Sequence, residues 1–181
     1  MTPLVSRFFW PAILLVGACA TFTDDPSART PGTVIDDQFI ETIASREINK
    51  ADPLLKAGNV DVVSHNGIVL LTGQVENAEL VSQAEQAVER IRKVRAVHND
   101  IKVGGATNFG ARSNDAWLTT KVKTKLVADA DVDAGKFKVV TENGTVYLLG
   151  IVPRTEAEAA VDVARNTFGV QKVVKVFEYL D

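Results

Sequence analysis

The stretch "HNGIVLLTGQV", His65 to Val75, decides how this chain is read, because "ENGTVYLLGIV", Glu142 to Val152, repeats it. Asn66 and Asn143 lie at an offset of 77. In both places an Asn-Gly pair stands between apolar runs. Asn-Gly favours a type I′ hairpin turn, whose two central residues need positive φ. "VDVV" and "IVLLTGQV" are then the two strands of the first hairpin. Gly73 and Gly150 fall inside the second strand of each copy. Glycine weakens a strand there, and its presence marks a bulge or the close approach of another backbone. Both read as structural glycines, with a helix backbone as the neighbour that excludes a side chain.

The repeat extends outward in both directions. Asp37 pairs with Asp115, Phe39 with Trp117, Ile40 with Leu118, Ala44 with Val122 and Ile48 with Leu126, at an offset of 78. Val94 pairs with Val170 and Val97 with Val173, at an offset of 76. The copies run over 34–103 and 113–181, joined by a linker at 104–112, "GGATNFGAR". Each reads as helix, strand, strand, helix, strand. Phe39, Ile40, Ile43, Ala44 and Ile48 recur at helical spacing. Ala78 to Arg90 is the second helix of copy one and Val94 to Val103 its last strand. In copy two, Thr155-Glu156-Ala157-Glu158 offers a capping box. A strand–helix–strand crossover favours parallel pairing. The fold class is therefore α+β: two tandem modules, each a three-stranded mixed sheet with two helices on one face.

The N-terminus is a separate object. Arg7 precedes the apolar run Phe8 to Val16, which is shorter than the ~20 residues of a membrane-spanning helix and fits a secretory signal peptide. The segment 1–18 is expected to be that leader. It ends in Val16-Gly17-Ala18-Cys19, which resembles the bacterial lipobox, and this resemblance implies acylation of Cys19. Cys19 is the only cysteine, so no disulfide within the chain is possible. Ala20 follows instead of the aspartate that commonly retains such lipoproteins in the inner membrane. That implies an outer-membrane anchor facing the periplasm. Residues 19–33, polar and carrying two prolines, read as the lipidated end and a flexible tether.

Nothing in the chain assembles into catalytic machinery. His65 and His98 both lie in copy one without counterparts in copy two, and read as solvated or edge histidines. With Cys19 taken by lipid, no Cys/His metal set remains. No glycine-rich loop with a lysine offers a phosphate cradle. Neither enzyme activity nor a cofactor nor a bound metal is expected. The formal net charge of −3 argues against a dedicated nucleic-acid binder.

The helix starts at Asp37 and Asp115, the two Asn-Gly hairpins and the glycines Gly73 and Gly150, in this order, resemble the BON domain. With a lipobox and tether before them, the two copies resemble the dual-BON outer-membrane lipoproteins. That resemblance implies binding of anionic phospholipid through the first helix of the second module. It also implies support of outer-membrane integrity and enrichment at division sites.

The residues of that helix, "SNDAWLTTKVKTKL", are consistent with such a role. Leu118, Val122 and Leu126 share the face that packs on the sheet. Trp117, Lys121, Thr124 and Lys125 lie on an adjoining face, and Lys123 points away. In copy one, the stretch Asp36 to Ile48 carries Asp36, Asp37, Glu41 and Glu47 against Arg46, a balance of −3. Its copy-two match, Asn114 to Leu126, carries Asp115 against Lys121, Lys123 and Lys125, a balance of +2. Tryptophan favours the membrane interface. Each lysine near an anionic surface contributes ~1 kcal/mol, and an anchor raises the effective concentration of a weak site. The candidate phospholipid-binding residues are Trp117, Thr120, Lys121, Thr124 and Lys125. The alternative is a protein-interaction module, docking through Trp117 on an outer-membrane-assembly or division protein. In copy one, Phe39 beside apolar Ile43 reads as part of the folding core.

Overall fold

The structure is a computed structural model that describes residues 29–105 and 109–180, with side chains from 112 onward in the second segment. Cys19, the expected leader and most of the expected tether lie outside the described residues. Copy one contains α1 (Pro31–Ala51), α2 (Pro53–Ala57), β1 (Asn59–His65), β2 (Ile68–Val75), α3 (Ala78–Glu89), β3 (Ala96–Asn99) and β4 (Lys102–Val103). Copy two contains α4 (Phe109–Ala128), β5 (Phe137–Glu142), β6 (Thr145–Val152), α5 (Arg154–Arg165) and β7 (Lys172–Tyr179).

Both hairpins form at the expected dipeptides. Asn66 and Gly67 have φ of 53° and 77°, and Asn143 and Gly144 have 49° and 72°. The central strand of each sheet is the second of its hairpin. β2 pairs antiparallel with β1 and parallel with β3 and β4. β6 pairs antiparallel with β5 and parallel with β7. Each sheet is therefore mixed, with helices packed on one face. Ile40, Ala44 and Ile48 of α1 share a core with Leu80, Ala84 and Val88 of α3 and with Val69, Leu71 and Val75 of β2. Leu118, Val122 and Leu126 do the same with Ala157, Ala160, Val161, Ala164, Val146, Leu148 and Val152.

Several local readings change. α1 starts at Pro31, inside the expected tether, because Thr30 caps it by accepting from Thr33 N and Pro31 suits the first helical turn. α4 likewise starts at Phe109, inside the expected linker. Asp37 and Asp115 are thus not at helix starts but lie further in, buried. Each turns its carboxylate onto the hairpin of its own module. Asp37 accepts from Asn66 N at 2.9 Å, Gly67 N at 3.0 Å, Ser64 Oγ at 2.7 Å and Arg29 at 2.6 Å. Asp115 accepts from Asn143 N at 2.7 Å and Gly144 N at 2.8 Å. The duplicated aspartate therefore ties helix to turn, satisfying amides that the hairpin leaves unpaired. The capping box at Thr155 does not form: the N-cap of α5 is Pro153, with no side-chain cap bond. Glu156 instead accepts from Asp133 N and pairs with Lys136. The last strand of copy one is interrupted at Asp100-Ile101, and Val94 belongs to the turn before it, where its N–H donates to Ile91 O.

The strand glycines meet the backbone that leads into the first strand of their own hairpin, Asn59 at the start of β1 and Lys136 at the end of the short 3-10 turn before β5, and not an α-helix packed across the sheet. A Cβ on Gly73, whose φ is +115°, would stand 1.8 Å from Asn59 O, and one on Gly150 would stand 2.9 Å from Lys136 O. In each case the obstacle is the backbone entering the hairpin's first strand, bent close over the glycine.

The second face of each sheet is covered by the other module. Ile68 and Leu70 of copy one form one buried cluster with Tyr147, Leu149 and Val176 of copy two. Polar ties cross the same boundary. Gln74 donates to Glu142, Arg95 pairs with Glu178, and the Tyr147 hydroxyl donates to Asp100. Burial, and then the Asp100 carboxylate, push the Tyr147 phenol up from its ordinary range. The layers run helix, sheet, sheet, helix. That order explains why β2 and β6 are apolar almost without alternation: strands buried on both faces need no polar side.

His65 is a consequence of this packing. It is 1% exposed, not solvated, and its Nε2 lies 3.2 Å from Lys136 O of the other module. A carbonyl only accepts, so Nε2 carries the proton. Nδ1 is buried without a protein partner among the described residues. Burial, and then the positive Arg29, hold the imidazole down at about 4, against the raising pull of Lys136 O and Asp37; Lys138 adds to the lowering.

Candidate lipid-facing site

Asp115 and the Leu118, Val122, Leu126 stripe fix the rotation of α4, so Trp117 has to face outward. It is 54% exposed. Lys121, one turn on, places Nζ 4.5 Å from the centre of the Trp117 ring. The same ammonium lies 5.1 Å from the Phe168 ring and donates to Phe168 O at 3.1 Å. Lys125 donates to Asn166 O at 3.0 Å. Both lysines thus lie against the segment just beyond the C-terminal end of α5, where carbonyls lack helical donors and the helix dipole is negative. An ammonium has three donors, so each lysine keeps capacity for an anion beside its carbonyl.

Thr120 and Thr124 are exposed on the same side. Their hydroxyls donate within the helix, to Ala116 O at 3.0 Å and Thr120 O at 2.9 Å. Their contribution to a surface is accordingly compact and half-apolar rather than a set of free donors. The structure brings Trp117 and Lys121 into direct contact, sets Lys125 one turn further, and leaves Lys123 exposed.

Phe168 was not singled out from the sequence. It stands between α5 and β7, is 85% exposed, and meets α4 only through the tertiary fold. The available signal was its match in copy one, Arg92, an apolar-for-charged exchange at one turn. Phe39 corrects another expectation: it is 62% exposed and outside the core of its module. With Ile35 and Ile43 it forms an exposed apolar row on α1, where no lysine stands as Lys121 does beside Trp117.

Among the described residues no group of three or more His, Cys, Asp or Glu side chains is placed to hold a metal ion. No helix among them is long and apolar enough to cross a membrane.

Comparison with known proteins agrees with this architecture. The model of the BON domain matches residues 36–105 and 114–181. The chain is 42% identical over 171 residues to the outer membrane lipoprotein DolP of Haemophilus influenzae, covering 94% of this chain and 88% of that protein. It is 38% identical over 152 residues to a 21 kDa hemolysin of Actinobacillus pleuropneumoniae, covering 84% and 78%. The osmotically-inducible protein Y of Escherichia coli is 26% identical over 152 residues, covering 82% and 75%. With both modules matched over nearly their whole length, this chain belongs to the BON domain family and carries its domain twice.

Proposed function

We propose that this protein is an outer-membrane lipoprotein, anchored through Cys19 and facing the periplasm, that binds anionic phospholipid through α4 and supports envelope integrity without catalysis. The similarity to DolP, an outer membrane lipoprotein, supports the location. The observation that carries the binding reading is the exposed Trp117 ring held against the Lys121 ammonium, on a helix whose core stripe is fully buried. A ring that the fold leaves half in water suits the boundary between headgroups and acyl chains. Lys121 and Lys125 supply positive charge to headgroup phosphates, at ~1 kcal/mol each, a weak term that an anchor makes sufficient. A role at division sites is consistent with this reading and rests on the family resemblance alone.

The test is flotation of the unacylated chain 20–181 with phosphatidylglycerol-containing and with phosphatidylcholine vesicles. Trp117→Glu is expected to remove binding to the anionic vesicles while the far-ultraviolet circular dichroism stays unchanged. Paired Lys121→Glu and Lys125→Glu changes weaken binding most at low salt, since screening already removes much of their contribution at high salt. A folded Trp117→Glu chain that floats as well as the parent refutes the site.

A further inference from the structure

We infer that Phe168 is a second membrane-inserting residue, so that the lipid contact has two aromatic points on two elements with the Lys121 ammonium between them. This rests on the lipid-binding reading of α4 and extends it to the turn between α5 and β7.

The turn runs from Thr167 to Val170, closed by Val170 N donating to Thr167 O at 3.1 Å. Gly169, its third residue, has φ +103°, the positive value that a type II turn requires there. Phe168 is the second residue, at the tip. Both flanks are held. The Thr167 hydroxyl is buried and donates to Val163 O at 2.8 Å, and Gln171 N donates to Gly144 O at 2.9 Å. Lys121 grips the tip itself through Phe168 O. A large apolar ring is thus displayed on a pinned backbone, with little further order to lose on contact.

The fold does not need phenylalanine at this place. Copy one builds the same turn, with Val94 N donating to Ile91 O at 3.1 Å and Lys93 at φ 77°. Its tip is Arg92. The backbone shape is common to the two copies, and only copy two has an aromatic tip, in the same module where Lys121 and Lys125 replace the apolar and acidic flank of α1. Trp117 and Phe168 flank one ammonium at 4.5 and 5.1 Å from their ring centres. Two exposed rings around a cation match a surface with apolar depth and a negative rim, which is an anionic bilayer.

The experiment uses chain 20–181, which keeps both modules and their shared interface. Trp117 is its only tryptophan, since the other, Trp10, lies in the leader. Phe168→Ser is expected to weaken partitioning onto phosphatidylglycerol vesicles about tenfold or more, the scale for withdrawing one phenylalanine from an apolar medium. Circular dichroism should be unchanged, because the turn of copy one tolerates a polar tip. In a second chain, Trp117→Phe with Phe168→Trp moves the fluorophore to the turn. Its emission should shift to the blue on phosphatidylglycerol vesicles, be quenched by brominated acyl chains, and stay put on phosphatidylcholine. If Trp117 of the parent chain shifts and Trp at 168 does not, or if folded Phe168→Ser binds as the parent does, the inference is overturned while the α4 site stands. If neither fluorophore responds, the lipid reading and this extension fall together.

Discussion

Asp37→Ala would remove the acceptor on which the first hairpin depends. Asp37 receives two backbone amides, Asn66 N and Gly67 N, together with the Ser64 hydroxyl and the Arg29 guanidinium. The carboxylate is buried, so water cannot readily replace it. Each amide left unpaired costs ~1–3 kcal/mol, which for the two together centres on about 4 kcal/mol. The variant Asp37→Asn separates the contributions. Its amide has one oxygen and one NH2, so the donors on one of the two oxygens would face another donor, and about half the loss is expected. Urea unfolding of chain 20–181 followed by circular dichroism reads the effect. With a slope of roughly 2 kcal/mol per molar, the midpoint for Asp37→Ala should fall by about 2 M. A loss below about 1 kcal/mol would refute the reasoning, because the hairpin amides would then be satisfied without the carboxylate. The charge matters as well. Burial alone would raise the Asp37 carboxyl, but the bonds from Gly67, Ser64, Asn66 and Arg29 outweigh it and hold it below the usual range. Its contribution is therefore complete above the ordinary carboxylate range and is lost as pH falls through the lowered value.

His65 acts in a different pH window. Its imidazole stays neutral, with its one proton on Nε2, and takes up a second proton in the folded state only near pH 4, while the unfolded chain does so near pH 6.5. Stability should fall as pH drops between those values, by up to about 3 kcal/mol, and no further from this group below them. His65→Gln should flatten that part of the urea-midpoint profile; an unchanged slope would show that the inter-module contact does not titrate through His65. Gly73→Ala should cost at least about 3 kcal/mol, since its Cβ would collide with Asn59 O at a positive φ, whereas Gly150→Ala should cost about 1–3 kcal/mol. Equal melting temperatures for the two variants would contradict this order. Phe39→Glu should leave the melting temperature within about 2 °C of the parent, because the ring is already largely in water; unfolding would mean that Phe39 packs in the core after all.

The parts legible in the sequence are those that neighbouring residues determine. Asn66-Gly67 and Asn143-Gly144 set their turns through their own φ angles. The stripes Ile40, Ala44, Ile48 and Leu118, Val122, Leu126 became the helix cores because a helical period places them on one side whatever they meet. Repetition then made two modules out of one pattern, and the exchange of acidic for basic residues between them marked α4. Other features needed the fold. The largely apolar runs of β2 and β6 call for cover on both faces, but periodicity does not name the covering partner, and only the packed chain supplies the opposite module. His65 became buried by that packing, not by its place beside a turn. Phe39 and Trp117 hold matching positions and both face solvent, although their neighbours in sequence suggested different fates. Phe168 joins Trp117 through Lys121 across residues remote in the chain. Contacts of that kind depend on where whole elements dock, and docking is decided by the complementarity of assembled surfaces, which no local pattern contains.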